Sequence, residues 1–241
     1  MSYILVTGTS RGIGAAIAAK LDERGCPVIG HNSTGHTPDL QKQRIISADF
    51  NDPQAARHLW DQALELSAGR ISAVINNAGL FDANEIERSD IEWLDSWEDT
   101  LRINLTAAAQ LSRFAVRHWL KRESGGRLVH VASRAAHRGD SPAHWHYAAA
   151  KGGMVAMHKT IARGYASSGI LSFVISPGFT DTAMAGDYLE SRSGAGLVND
   201  IPLGRVAEPD EIAKIAVFCA LEAPASMTGA VLDANGASYV R

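Results

Sequence analysis

Tyr147 and Lys151 stand four residues apart in Tyr-Ala-Ala-Ala-Lys. On a helix that spacing stacks two side chains on one face. A phenol titrates near about 10 and is a weak acid at neutral pH. A fixed ammonium beside it favours the phenolate and draws that value down. Tyr147 is therefore expected to act as a general acid/base that moves a proton on or off an alcohol oxygen. Other features stand upstream of the pair. Thr7-Gly-Thr-Ser-Arg-Gly-Ile-Gly14 lies near the start of the chain, Asn76-Asn77-Ala78-Gly79 and Asn104 follow, and Ser133 stands at a strand end.

Gly8, Gly12 and Gly14 fall between the first strand and the first helix. The spacing differs from the standard dinucleotide fingerprint, but the physics is shared. Glycines let the backbone approach a pyrophosphate, and a helix N-terminus supplies N–H donors and a favourable dipole. An acidic side chain at the end of the second strand would bind an NAD ribose and repel a 2′-phosphate. This chain has His31-Asn32-Ser33-Thr34 there, with no carboxylate, and Arg11 in the glycine loop. That edge favours NADP(H) over NAD(H). Asp49, after the third strand, either accepts from an adenine amino group or closes a turn.

Those residues need a scaffold, and the sequence pattern describes one. Short apolar runs at 3–6, 28–31, 44–48, 73–76, 127–132, 171–176 and 231–233 read as strands. They are continuous runs, not strict alternations, as strands covered on both faces require. Helical patterns at 12–24, 53–67, 100–121, 147–167 and 209–222 lie among them. Alternating strands and helices indicate an α/β fold: a Rossmann-type doubly wound parallel sheet of about seven strands with helices on both faces. Pro53 and Pro209 suit helix starts, with Asp52 as a cap and Glu208 as a favourable charge. The stretch 32–43 is too short for a full crossover helix, and 182–202 has the composition of an active-site lid.

The 241 residues fit one domain, 1–241, and 46% of them are hydrophobic. A net charge of -3 with no basic arm excludes an evident nucleic-acid binder. No run approaches a membrane span, and no leader pattern opens the chain. Two cysteines, Cys26 and Cys219, in apolar surroundings suit buried thiols in a reducing, cytoplasmic setting. His137, His144 and His146 lack the partners of a metal site and read as pocket wall or packing. Trp93 and Trp97 are spaced to share a helix face.

The ordered set Gly8-x3-Gly12-Ile13-Gly14, Asn76-Asn77-Ala78-Gly79, Asn104, Ser133, Tyr147-x3-Lys151 and Pro177-Gly178 resembles a classical short-chain dehydrogenase/reductase. The resemblance covers essentially the whole chain, and 3-oxoacyl-acyl-carrier-protein reductases and related carbonyl reductases are closest in flavour. It implies that Tyr147 protonates a developing alkoxide, that Lys151 lowers its pKa and holds the nicotinamide ribose, and that Ser133 binds the substrate oxygen. Asn104 would anchor a water leading from Lys151 to solvent. The implied cofactor contacts run over Gly8, Ser10, Arg11, Gly12, Ile13, Gly14, Asn32, Ser33, Asp49, Phe50, Asn77, Ala78, Gly79, Tyr147, Lys151, Pro177, Gly178, Thr180 and Thr182. Phe81 and the 137–146 wall would border the substrate. A small carbonyl or alcohol substrate and a homotetramer, or homodimer, are the partners implied. The alternatives are an NAD-dependent secondary-alcohol or sugar dehydrogenase and a catalytically silent dinucleotide sensor. The gap from Ser133 to Tyr147 is one residue longer than the family's usual spacing, so the substrate is open.

Overall fold

Ile4 and Val6 turn to one side of the first strand while Leu5 turns to the other, and all three are buried. This is what an apolar run without alternation builds: a strand covered on both faces. The computed structural model describes residues 1–34, 44–182 and 198–241. Among them, seven strands form one parallel sheet in the order β3-β2-β1-β4-β5-β6-β7. They are β1 (Tyr3–Thr7), β2 (Val28–Asn32), β3 (Arg44–Ser47), β4 (Ile71–Asn76), β5 (Gly126–Val131), β6 (Ile170–Pro177) and β7 (Val231–Ala234). The strand order reverses direction between β1 and β4, which opens a crevice at their C-terminal ends.

Helices α1 (Gly12–Glu23) and α7 (Pro209–Leu221) cover one face. Ile17, Leu21, Ile212 and Val217 pack there on Ile4, Val6, Val129 and Ile175. Helices α2 (Ala55–Ser67) and α4 (Ala107–Arg122) cover the other, where Leu59, Trp60, Leu111 and Trp119 meet Leu5, Ile29, Val74 and Leu128. Helix α6 (Trp145–Tyr165) sets Met154 and Val155 against Val174 beside them.

Several local expectations need correction. The helix expected at 100–121 begins much earlier, as α3 (Asp90–Leu101), and passes through one π-helical turn, Arg102–Thr106, into α4. Ser89 starts α3 with a reciprocal cap: its hydroxyl accepts from the Glu92 N–H, and the Glu92 carboxylate accepts from the Ser89 N–H. Trp93 and Trp97 do share a face of this helix, stacked at 5.3 Å. Asp52 does not cap α2. Its carboxylate accepts from the Gln54 N–H at 2.8 Å, closing a turn that carries Pro53 before the helix starts at Ala55. Pro209 does occupy the first turn of α7, where the Glu211 carboxylate accepts from the Glu208 N–H. A one-turn helix, α5 (Ala135–Arg138), follows Ser133. Cys219 is buried, whereas Cys26 is only half-buried. The expected irregular connection at 32–43 and the expected lid at 182–202 lie largely outside the described residues. No helix among the described residues is long and apolar enough to cross a membrane.

Candidate active site

The crevice at the C-terminal ends of β1, β4, β5 and β6 opens into a cleft of about 560 Å³. Its floor at one end is the turn from β1 into α1. Gly8 and Gly12 there have positive φ (72° and 56°), which only glycine adopts without strain. A side-chain carbon on Gly14 would lie 1.9 Å from the Gly8 carbonyl oxygen, so the turn closes only with glycine there. The Asn77 amide donates to the carbonyls of Thr7 (2.9 Å) and Gly8 (3.2 Å), and the Thr7 hydroxyl accepts from the N–H groups of Asn77 and Ala78. Asn77 thus braces the glycine turn from β4. Asn76 points the opposite way, into the core, where its amide meets Ser112 and His130.

The first turn of α1 carries no acidic residue, and its N-cap residue, Arg11, makes no side-chain capping bond. Its N–H groups therefore face the cleft without an internal anion, which fits a bound pyrophosphate. Thr182 stands over this point: a side-chain carbon on Gly12 would come within 3.0 Å of its methyl. The glycine-turn, Asn32, Ser33, Asp49, Phe50, Asn77–Gly79, Pro177, Gly178, Thr180 and Thr182 positions expected from sequence all line the cleft. Asp49 accepts from the Asn51 N–H at 3.0 Å, so it closes a turn while it borders the cleft.

At the other end, Ser133, Tyr147 and Lys151 converge. Ser133 leaves β5, and its oxygen accepts from the Ala135 N–H at 3.1 Å, which fixes the side chain at the start of α5. Tyr147 and Lys151 lie one turn apart on α6, with the Lys151 Nζ 5.7 Å from the phenol ring centre. Lys151 is 4% exposed and donates to the Val131 carbonyl at 2.8 Å. Phe81 stands edge-on to Tyr147 at 4.7 Å and is stacked on His144 at 4.0 Å.

The electrostatics correct one expectation. Lys151 does not bring the Tyr147 phenol toward neutrality in this state. Burial pushes Tyr147 up to about 12, against a downward pull from its hydrogen bond with Ser133. Burial likewise brings Lys151 down to about 8. Loss of water dominates at both groups, the Asp140 charge adds to the rise at Tyr147, and the Lys151 amine is turned to the Val131 carbonyl.

Asn104 is buried outside the cleft lining. Its amide closes a pair with Leu80, accepting from the N–H at 2.8 Å and donating to the carbonyl at 2.9 Å. The side chain is thus occupied by backbone, and the π-helical turn sets its position. Gly79 borders both Asn104 and Lys151: a side-chain carbon on it would come within 3.0 Å of the Asn104 Oδ1 and 3.5 Å of the Lys151 Nζ. Of the expected substrate wall, His137 turns away to Ser176 and Tyr239, and His146 is buried. His144 backs Phe81 instead. Of the His31–Thr34 edge, His31 lines the cleft too, and Phe179, which no sequence pattern marked, lines it as well. The Arg134 guanidinium lies 4.7 Å above the Phe179 ring at the Ser133 end. The chain signal for His31 is its place next to the C-terminal end of β2.

A family model described as Enoyl-(Acyl carrier protein) reductase matches residues 8–236. The chain is 32% identical to the 3-oxoacyl-[acyl-carrier-protein] reductase FabG of Haemophilus influenzae, over 98% of this chain and 97% of that protein. It is 34% identical to the FabG of Vibrio harveyi, over 98% and 96% respectively. Among solved structures it resembles one described as a 2-deoxy-d-gluconate 3-dehydrogenase from Agrobacterium tumefaciens with bound NADP. The TM-score is 0.87 at 26% identity, covering 100% of this chain and 97% of that one.

Proposed function

The chain belongs to the short-chain dehydrogenase/reductase family of NAD(P)-dependent oxidoreductases, and from that premise we propose that it uses NADPH to reduce a ketone of the 3-oxoacyl type to a secondary alcohol. One observation carries the reading: a glycine cradle and the trio Ser133, Tyr147 and Lys151 share a single cleft. The N–H groups at the start of α1 would hold the pyrophosphate. Arg11, Asn32 and Ser33 would face the 2′-phosphate, and no carboxylate at the β2 end opposes it. Lys151 would hold the nicotinamide ribose hydroxyls. When bound, the reduced nicotinamide supplies a hydride to the carbonyl carbon.

The protein's own groups manage the oxygen. Ser133 positions it by a hydrogen bond. Tyr147 is fully protonated at neutral pH, since burial holds its pKa near 12, and its phenolic oxygen carries the proton that the new alkoxide takes. The phenolate left behind sits beside the Lys151 ammonium, which stabilises it. Asn104 acts by position, fixing Leu80 and the Gly79 backbone next to Lys151. The reading extends to one domain over 1–241 and to a cytoplasmic homotetramer, or homodimer, as in the family it resembles.

The dehydrogenase neighbour favours a second reading, oxidation of a sugar-acid alcohol by the same residues in reverse. The test is a spectrophotometric screen with each nicotinamide cofactor against acetoacetyl thioesters, diketones and sugar ketones, repeated with Tyr147→Phe. Turnover of an acetoacetyl thioester with NADPH, reduced at least about 100-fold in the variant while NADPH still binds, is the expected outcome. Native turnover in Tyr147→Phe would refute the proton assignment, and preference for NADH would refute the cofactor assignment.

A further inference from the structure

His31 is the penultimate residue of β2, its ring is buried at 3% exposure, and both ring nitrogens are engaged. The partners dictate the proton's place. The Ala48 carbonyl, 2.7 Å from Nε2, can only accept, so Nε2 carries the hydrogen. The Gly8 N–H, 3.3 Å from Nδ1, can only donate, so Nδ1 is bare. The same residue's carbonyl accepts from the Thr9 N–H at 2.8 Å and the Thr9 hydroxyl at 3.2 Å. His31 thus holds two consecutive residues of the glycine turn and the end of β3 at once. Its ring also lies flat on Phe50, with centres 4.3 Å apart and planes 19° from parallel. Both rings border the cleft.

We infer that His31 is a positioning residue for the cofactor's adenosine half. Its neutral Nε2–H form orients the Gly8 N–H and locks the glycine turn to β2 and β3, and with Phe50 it builds an aromatic wall for a purine ring. The inference rests on the dinucleotide reading given above and adds a residue that reading does not need. With both nitrogens committed, the ring has no donor or acceptor left for a ribose hydroxyl. Discrimination at the 2′-position therefore falls to Arg11, Asn32 and Ser33, which border the same cleft, and not to position 31. The chemistry also sets a direction of failure. An imidazolium would place two N–H groups face to face at Gly8, so the arrangement exists only with the ring uncharged. Burial suits this, because it lowers the pKa of His31 to about 4. Asp49 is the charged neighbour that pulls the other way.

The experiment has two parts. Long-range ¹H–¹⁵N spectra of the wild-type protein at pH 7 report the tautomer without any substitution. A neutral ring protonated at Nε2 is expected; an Nδ1–H tautomer or an imidazolium overturns the proposal. The second part titrates NADPH into His31→Phe and His31→Asn. Phe keeps the stacked ring and loses both hydrogen bonds, while Asn can restore an acceptor for the Gly8 N–H. Affinity for NADPH should fall about tenfold or more in His31→Phe and recover partly in His31→Asn. The loss should appear in KM for NADPH far more than in kcat, with the NADPH-to-NADH preference kept. Native NADPH affinity in His31→Phe refutes the role, and so does a collapse of cofactor preference. Absence of any dinucleotide binding by the wild type would instead refute the dinucleotide reading itself.

Discussion

Raising the pH should disable Lys151 long before it touches Tyr147. An ammonium brought from the ordinary 10.5 to about 8 is disfavoured by about 3 kcal/mol in the folded protein. About nine in ten Lys151 side chains are charged at pH 7 and about one in ten at pH 9. Tyr147, pushed up to about 12, keeps its proton throughout that range. Measured as kcat/KM for NADPH, which reports the free enzyme, activity should fall about tenfold per pH unit above about 8. Lys151→Met should be much slower at pH 7 and show no such descending limb. Stability follows by linkage. The unfolded lysine holds its proton up to about 10.5, whereas the folded one releases it near 8. Between those values the unfolded chain binds more protons, so folding gains as pH rises. Urea unfolding of the wild type relative to Lys151→Met should therefore shift toward the wild type by up to about 3 kcal/mol from pH 8 to pH 10.5. A flat activity profile to pH 10, or a limb that survives in Lys151→Met, refutes the reasoning.

Two further substitutions test the scaffold. Gly14→Ala places a carbon 1.9 Å from the Gly8 carbonyl oxygen and 2.5 Å from the Asn77 amide. It should abolish NADPH binding by fluorescence titration and cost about 1–3 kcal/mol in chemical denaturation. Gly126→Ala drives a carbon to 2.2 Å from the Trp119 indole, which is pinned by its donation to the Ile71 carbonyl. It should lower stability by about 3 kcal/mol, read as a drop in Tm. Cofactor affinity should survive in the fraction that remains folded, because this contact lies away from the cleft.

The residue order along the chain was enough to place the glycine turn, the seven apolar runs and the Tyr147–Lys151 pair, since each depends on local spacing. A helix period or a run of buried residues is written in neighbours. Ser89 and Glu92 spell the capping box of α3 and Trp93 and Trp97 share its face, but only Thr100 of this helix is buried, so no continuous apolar stripe marks its length. The π-helical turn was invisible for a different reason. Only the packing of α3, α4 and α6 together makes one extra residue at Arg102–Thr106 worth its irregular bonds.

What spacing alone determined is which groups could meet; what tertiary structure decided is the state in which they meet. A lysine four residues from a tyrosine predicts an acidified phenol only where the charge effect exceeds the cost of desolvating the phenolate. Folding takes water from both groups beside the end of β5, and that desolvation raises Tyr147 and lowers Lys151. His31 makes the same point. Its type and place near a strand end are local facts, but its tautomer is imposed by Gly8 and Ala48, which follow β1 and β3 directly.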